Sequence, residues 1–245
     1  MKTSNKILLS LIGVILISIF ISILASTRNP NGSNLNSAPT TLKTELKGFH
    51  SIKVQSFSDI TIVKGSPAIL FEGDSLSIAT HEVTEKDSML EIRFEMPSGS
   101  HFSSDLQITL YTDDLRVIEM LGSGNLICKD SFTTVQSRLS LQGSGDIQTA
   151  WSGQSLDISL MGSGSISNSG TIDQMNISLH GSGDISTTKT KCKSAIVNLL
   201  GSGRIEVDCD ESLLVNLTGN GDVIYSGNAK VQTNKTGHGE VRKSE

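Results

Sequence analysis

A Gly-x-Gly unit recurs seven times in the second half of this 245-residue chain, at a nearly constant spacing of 18 to 21 residues. A single Gly-x-Gly is uninformative, but seven in register indicate an internal repeat. The glycines of the first six units are Gly122 and Gly124, Gly143 and Gly145, Gly162 and Gly164, Gly181 and Gly183, Gly201 and Gly203, and Gly219 and Gly221. Gly237-His238-Gly239 ends the series.

Apolar residues flank the units with a period of two. In the third unit Ile158 and Leu160 precede the glycines and Ile166 follows them, with polar residues between. Such alternation is typical of a strand with one buried face. A repeat of ~19 residues cannot enclose its own core, so the repeats must stack. We therefore predict an all-β fold, a β-helix or β-solenoid with ~19-residue rungs, whose Gly-x-Gly corners need positive φ or lack room for a Cβ.

Both ends of the repeat region differ from its middle. Thr233 and Lys235 replace apolar residues in the last unit, which predicts a polar rung that protects the open end from edge-to-edge pairing. The chain before residue 116 lacks the glycine corners but keeps alternating segments. We predict a solenoid domain over 48–241, with an irregular β capping part at 48–115 and regular repeats at 116–241.

An uncharged apolar stretch, residues 7–25, follows Lys2 and Lys6. At about 1.5 Å per residue it would span about 28 Å, close to the hydrocarbon thickness of a bilayer. Residues 1–26 are predicted to form an N-terminal hydrophobic helix that is either a signal anchor or a cleaved signal peptide. Residues 27–47, rich in Asn, Ser and Pro, are predicted to be a flexible linker. The solenoid would then lie outside the cytoplasm, in the cell envelope, or be periplasmic or secreted after cleavage.

The chain resembles the auto-transporter adhesin head GIN domain family of bacterial envelope proteins. The segment GFHSIKVQSFSDITIVKGSPAILFEGD (48–74) and the serial GSGNL, GSGDI, GSGSI, GSGDI, GSGRI and GNGDV carry the resemblance. It implies a β-helical solenoid, an envelope location and no assigned enzyme activity. It supplies no binding residues, and the chain has no discernible translocator barrel of its own.

A row of polar residues follows the glycine units. Its members are Asn125, Asp146, Ser165, Asp184, Arg204, Asp222 and Glu240. Oxygen ligands beside glycines are typical of calcium-binding repeats. However, aspartates two rungs apart would be separated by roughly 9.6 Å, too far to share one ion at about 2.4 Å from each. We favour hydrogen bonding to turn backbone and predict no metal site.

Cys192 and Cys209 precede their corners by nine and ten residues. They could face each other on adjacent rungs and form a disulfide outside the cytoplasm, or remain separate small apolar residues. Cys128 follows the strand alternation and is predicted to lie in the core. Trp151, Tyr225 and Phe132 could stack on sugars if exposed, but we favour packing in the core or in turns. The five histidines show no ligand spacing and are predicted to lie at the surface.

The sequence indicates a non-enzymatic envelope protein. The densest carboxylates, Asp113-Asp114 and Asp208, Asp210 and Glu211, resemble turn residues, and no catalytic or cofactor-binding residues are predicted. Twenty Lys and Arg against 25 Asp and Glu, without a basic cluster, exclude nucleic acid. The expected partners are the membrane, through the N-terminal segment, and a glycan or an envelope or host protein. The alternatives are a structural scaffold that self-assembles as a homo-oligomer, and, less favoured, a carbohydrate-active β-helix enzyme.

Overall fold

Seventeen strands of the described chain join in one continuous sheet, with about 75% strand and 3% helix. The computed structural model describes residues 40–95 and 106–244. In chain order the elements are β1 (Thr40–Glu45), β2 (Ser51–Ser56), β3 (Asp59–Val63), β4 (Ala68–Gly73), α1 (Ser75–Ala79), β5 (His81–Lys86), β6 (Met89–Phe94), β7 (Gln107–Tyr111), β8 (Val117–Gly122), β9 (Asn125–Cys128), β10 (Phe132–Gly143), β11 (Asp146–Gly162), β12 (Ser165–Gly181), β13 (Asp184–Gly201), β14 (Arg204–Gly219), β15 (Asp222–Ser226), β16 (Lys230–Gly237) and β17 (Val241–Lys243). The predicted all-β solenoid is confirmed, with about seven turns.

The predicted N-terminal hydrophobic helix lies outside the described residues. Among the residues that the structure does describe, no helix is long and apolar enough to cross a membrane.

The regular rungs are built from long strands, β10 to β14, that pair in parallel and nearly in register. Ile158 lies opposite Ile177, and Ile177 opposite Val197, so like side chains stack at about 4.8 Å intervals. These columns form the buried core. Each strand from β11 to β14 runs from one Gly-x-Gly corner to the next. Within β11 the alternation of buried and exposed residues breaks at 152–155.

Two columns of glycine line the corners. The first glycine of each unit has a positive φ, for example +136° at Gly181 and at Gly201. A Cβ on Gly181 would lie 2.3 Å from the carbonyl oxygen of Gly162, and one on Gly183 would lie 2.4 Å from that of Gly164. Because the rungs are held at strand spacing, there is no room for a side chain in either column.

The amino-terminal part contains regular rungs, so the prediction of irregular β structure over 48–115 is wrong for its core strands. β2 and β3 pair in parallel with β8 and β9 and form the rung next to the first Gly-x-Gly rung. β6 and β7 pair with the opposite edges of β2 and β3, and thus form the next rung outward although they come later in the chain. The antiparallel strands β5, β4 and β1 cover this end.

The predicted flexible linker 27–47 is wrong for its last part. Thr40–Glu45 form β1, which pairs in antiparallel register with β4. Leu42 is the only apolar residue in this strand, so backbone pairing rather than an apolar face holds it at the edge. Residues 27–39 lie outside the described chain.

Ser56-Phe57-Ser58 forms the corner of the β2–β3 rung, in the place of a Gly-x-Gly unit. Ser56 lies directly opposite Gly122 in the paired strands. A Cβ on Gly124 would meet the Ser58 carbonyl oxygen at 2.3 Å, as in the glycine columns above. This corner was not predicted, because its residues do not match the repeat.

His81 fills the space beside the serine corner. Its Nε2 lies 3.0 Å from Ser56 Oγ and 3.1 Å from Ser58 Oγ, and its Nδ1 lies 3.0 Å from the carbonyl oxygen of Ser77. Since a carbonyl only accepts, Nδ1 carries the proton and Nε2 accepts from the hydroxyls. The prediction that all histidines lie at the surface is therefore wrong for His81, which is 4% exposed.

The last rung is polar. Thr233 lies opposite Val215 and Lys235 opposite Leu217. Lys235 Nζ donates to the Gly239 carbonyl oxygen at 2.9 Å, and nearly all of β16 is exposed. The aliphatic columns therefore end beneath a hydroxyl and an ammonium group, which disfavour pairing with a further strand.

Candidate binding surface

One flat side of the solenoid, which we call the ladder face, carries columns of outward-pointing side chains. The face consists of the segments that lead into the corners, residues 117–121, 138–142, 157–161, 176–180, 196–200, 214–218 and 232–236. Its central column is formed by Glu119, Ser140, Ser159, Ser178, Asn198, Asn216 and Asn234. A polar side chain thus recurs at about 4.8 Å intervals, as Ser on three successive strands and as Asn on the next three.

Hydrogen bonds along the central column hold its asparagines in fixed orientations. Asn216 Nδ2 donates to Asn198 Oδ1, and Asn234 Nδ2 donates to Asn216 Oδ1, both at 2.9 Å. Each amide keeps its remaining donor and acceptor positions. The column is therefore a preorganised row of polar groups.

A groove of about 510 Å³ runs along one margin of the ladder face. Its polar wall is the column Ser155, Gln174, Ser194, Ser212 and Lys230, which spans five successive strands. Four intervals of about 4.8 Å give a length of roughly 19 Å. An extended chain that lies along the stack would meet one rung every 4.8 Å.

The groove and the adjoining face mix apolar contacts with few charges. Ile196, which is 45% exposed, and Leu214 line the groove, and Met161 and Leu200 are about half exposed farther across the face. Asp157 lies 3.7 Å from Arg138 and is partly neutralised. Lys230 is the charged lining residue at the carboxy-terminal end. Such a surface suits a weakly charged, amphipathic ligand.

The polar row after the glycines serves the backbone. Asp146 Oδ1 accepts from the backbone N–H of Ser165 at 3.1 Å, and Asp222 Oδ1 accepts from that of Glu240, also at 3.1 Å. These hydrogen bonds reach the backbone of the next rung and not the turn that contains the aspartate. The hypothesis that the row bonds to its own turn backbone is therefore corrected to bonding between rungs. No three His, Cys, Asp or Glu side chains within residues 40–95 and 106–244 form a group that could hold a metal.

Two of the residue groups considered for catalysis are engaged in other contacts. Asp114 binds Arg116 through a 2.6 Å ion pair, and Asp208 binds Lys191 at 2.5 Å. Trp151 and Phe132 are fully buried, which confirms their prediction as core residues.

The Ser56–His81 pair has a nucleophile and a base in contact. However, both residues are buried, at 2% and 4% exposure, so a substrate cannot reach them. Burial lowers the pKa of His81, and the hydrogen bond to the Ser77 carbonyl opposes this effect. The arrangement stabilises the neutral imidazole as a packing element.

Cys192 and Cys209 lie opposite each other on β13 and β14, and the structure has both as free thiols. They occupy the adjacent positions that the predicted disulfide requires, and the disulfide remains a prediction. Cys128 is buried in the core as predicted, and burial, followed by the charge of Asp130, raises its thiol pKa to about 12.

The fold and the ladder face define a β-solenoid that presents a repetitive surface. A family model described as "Putative auto-transporter adhesin, head GIN domain" matches residues 48–229. The chain belongs to this family, and the resemblance seen in the sequence is confirmed. The description of the family names an adhesin and no enzymatic activity. No curated protein matches the sequence significantly.

Solved structures share the architecture. A protein described as a putative adhesin from Bacteroides fragilis has a TM-score of 0.82 at 20% identity, covering 87% of this chain and all of that one. A putative adhesin from Parabacteroides merdae has a TM-score of 0.71 at 18% identity, with 86% and 98% covered. A protein from Parabacteroides distasonis, described as lipid binding, has a TM-score of 0.69 at 21% identity, with 86% and 98% covered. At these identities the likeness establishes the fold alone.

Proposed function

We propose that this protein is a non-enzymatic adhesin of the cell envelope, and that its ladder-face groove binds an extended polymer. The observation that carries the proposal is a groove whose wall repeats across five strands in strand register. Repeated weak contacts add along a chain ligand, so that affinity rises with the number of rungs engaged. The adhesin family supports the same function.

A glycan chain or an extended peptide of an envelope or host protein has the chemistry that fits this groove. Hydroxyl and amide groups of the wall suit sugar hydroxyls or peptide groups, and Ile196 and Leu214 suit apolar faces of either. Export and retention at the envelope would depend on residues 7–25, whose apolar sequence suits an anchor or a signal peptide.

The test is a binding screen with matched variants. Polysaccharides of defined linkage, peptidoglycan fragments and extracellular-matrix proteins would be immobilised and probed with the chain from residue 40. Asn176→Arg places a bulky charge in the groove, and Gln148→Arg places the same charge at an exposed position outside the groove and the ladder face. We expect one class of probe to bind, Asn176→Arg to reduce binding at least tenfold, and Gln148→Arg to retain it.

Equal loss in both variants, or binding by neither the parent chain nor its variants, would contradict the proposal. Self-association is the competing function, and sedimentation of the same samples distinguishes it. A concentration-dependent oligomer that Asn176→Arg disrupts would assign the groove to subunit contact instead.

A further inference from the structure

Cys192 and Cys209 occupy a short paired segment between two irregularities of the β13–β14 ladder. The register shifts before this segment, between Thr187 and Lys191, and again after it, between Cys192 and Ser194. Only Lys191 with Asp208 and Cys192 with Cys209 are paired there. Such irregularities bend a strand locally and leave residues unpaired, so the two cysteines lie at a break in an otherwise continuous ladder.

The two thiols lie in mutual contact inside the protein. Cys192 is 3% exposed and Cys209 is 0% exposed. Cys209 Sγ lies 3.0 Å from the Lys193 carbonyl oxygen and 3.3 Å from that of Ser212. A hydrogen bond with Cys209, followed by burial, raises the pKa of Cys192, while the same bond lowers the pKa of Cys209. Because the Cys209 thiol donates to the Lys193 carbonyl oxygen, Cys192 is the donor in the bond between the two thiols.

We propose that Cys192 and Cys209 form a disulfide that links β13 to β14 when the chain folds in an oxidising compartment. Neighbouring strands are about 4.8 Å apart, inside the range of Cα separations that disulfides span. Cys128 cannot compete as a partner. It lies on β9, three strand spacings from β13, which is at least about 14 Å away.

The bond forms by exchange with an external disulfide, such as that of a thiol–disulfide oxidoreductase or of oxidised glutathione. The Cys209 thiolate attacks one sulfur of that disulfide, forms a mixed disulfide and releases one thiolate. Cys192 loses its proton to this leaving thiolate or to water, and its sulfur then attacks Cys209 Sγ and expels the second thiolate. Two protein thiols are thereby oxidised by two electrons, and the external disulfide is reduced to two thiols. Because Cys209 is fully buried, exchange takes place before β14 packs on β13 or through opening of residues 208–212.

The experiment uses the Cys128→Ser chain, which keeps only the pair. It is refolded in oxidised and reduced glutathione, quenched with acid, unfolded, alkylated and mapped by mass spectrometry. We expect a Cys192–Cys209 cross-linked peptide in oxidising buffer and two alkylated thiols in reducing buffer. Two free thiols, or only mixed disulfides with glutathione, in oxidising buffer would overturn the proposal.

Thermal unfolding supplies the second readout. We expect the oxidised pair to melt about 5–10 °C above the reduced pair, because the bond restrains the unfolded chain between the two rungs. The control is the chain with Cys192→Ala, which should melt at one temperature under both redox conditions. A bond that forms without raising the melting temperature would contradict its role as a link between rungs. Because no ligand is involved, the outcome does not depend on the proposed adhesive function.

Discussion

The corners of the middle rungs and the corner of the β2–β3 rung have different residues because different groups lie beside them. In the middle rungs, each corner residue faces the carbonyl oxygen of the preceding corner, and a Cβ on Gly143 would lie 1.9 Å from that of Gly122. In the β2–β3 rung, the serine hydroxyls face an imidazole, which they meet at 3.0 and 3.1 Å. Glycine is therefore required in the middle rungs both by the neighbouring carbonyl oxygen and by the positive φ of the first corner residue, whereas Ser56 and Ser58 have no positive φ.

This difference explains why the glycine pattern stops before the fold does. The β2–β3 strands keep parallel register with β8 and β9, so the solenoid continues past the first Gly-x-Gly unit. His81 occupies the space beside Ser56 and Ser58, and it is positioned by α1 and β5. A rung near the end of the stack can thus replace glycine by residues that bind the capping elements.

Substitution in the middle of a glycine column should have the largest effect. Gly181→Val introduces a β-branched residue at a φ of +136°, with its Cβ 2.3 Å from the Gly162 carbonyl oxygen. We expect a loss of more than about 4 kcal/mol in the free energy of unfolding, or failure to fold. Ser182→Val, at the exposed middle position of the same corner, is the control and should cost less than about 1 kcal/mol. Similar urea midpoints for both variants would contradict the steric account.

Exchanging glycine and serine across the boundary tests the comparison itself. Gly122→Ser places a Cβ 2.2 Å from the Ser56 carbonyl oxygen at a φ of +151°, and should cost about 3 kcal/mol or more. Ser56→Gly removes the Cβ and a hydroxyl that contacts His81 and accepts from the Ser58 backbone N–H, and should cost about 1–2 kcal/mol. Equilibrium unfolding in urea measures both. An equal cost would show that position in the stack does not decide which corners need glycine.

The pH dependence of stability should report the histidine cap, with a smaller effect. Because burial lowers the pKa of His81 below the ordinary histidine value of about 6.5, the folded state favours the neutral ring. The resulting stabilisation is complete above pH 6.5 and is lost as the pH falls through the lowered pKa of the folded state. We expect the urea midpoint to fall between pH 7.5 and pH 5. His81→Gln should reduce this dependence, whereas His238→Gln, at an exposed corner, should leave it unchanged.

The regular part of the fold could be predicted because its constraints are local and repeated. Ile158, Leu160 and Ile166 mark one buried face by their spacing, and the glycines mark each corner. The outer rung of β6 and β7 could not be predicted in the same way. Its position depends on pairing with β2 and β3, which precede it in the chain, and β1 is held by backbone pairing with hardly an apolar residue of its own.

Less of the candidate surface could be predicted. The polar positions Ser159, Ser178 and Asn198 were visible as the alternate residues of strands, and their stacking follows from the repeat. The groove depends on how far neighbouring side chains project, and Ile196 and Leu214 interrupt the polar pattern without a repeat signal. The burial of His81 gave no signal, because the serines of the corner that it contacts, Ser56 and Ser58, are more than twenty residues away in the sequence.

Distances between spin labels along the central column would test the stacked architecture most directly. The native cysteines would be replaced, and each variant would carry two introduced cysteines with spin labels. One label replaces Asn234, and the other replaces Ser140, Lys53 or Glu91. Strand register places these residues five, seven and eight spacings from Asn234, which predicts about 24, 34 and 38 Å at 4.8 Å per strand. Pulsed electron paramagnetic resonance should return this order, with Glu91 farther away than Lys53. Distances that do not increase with the number of strands would contradict the solenoid on which the whole account rests.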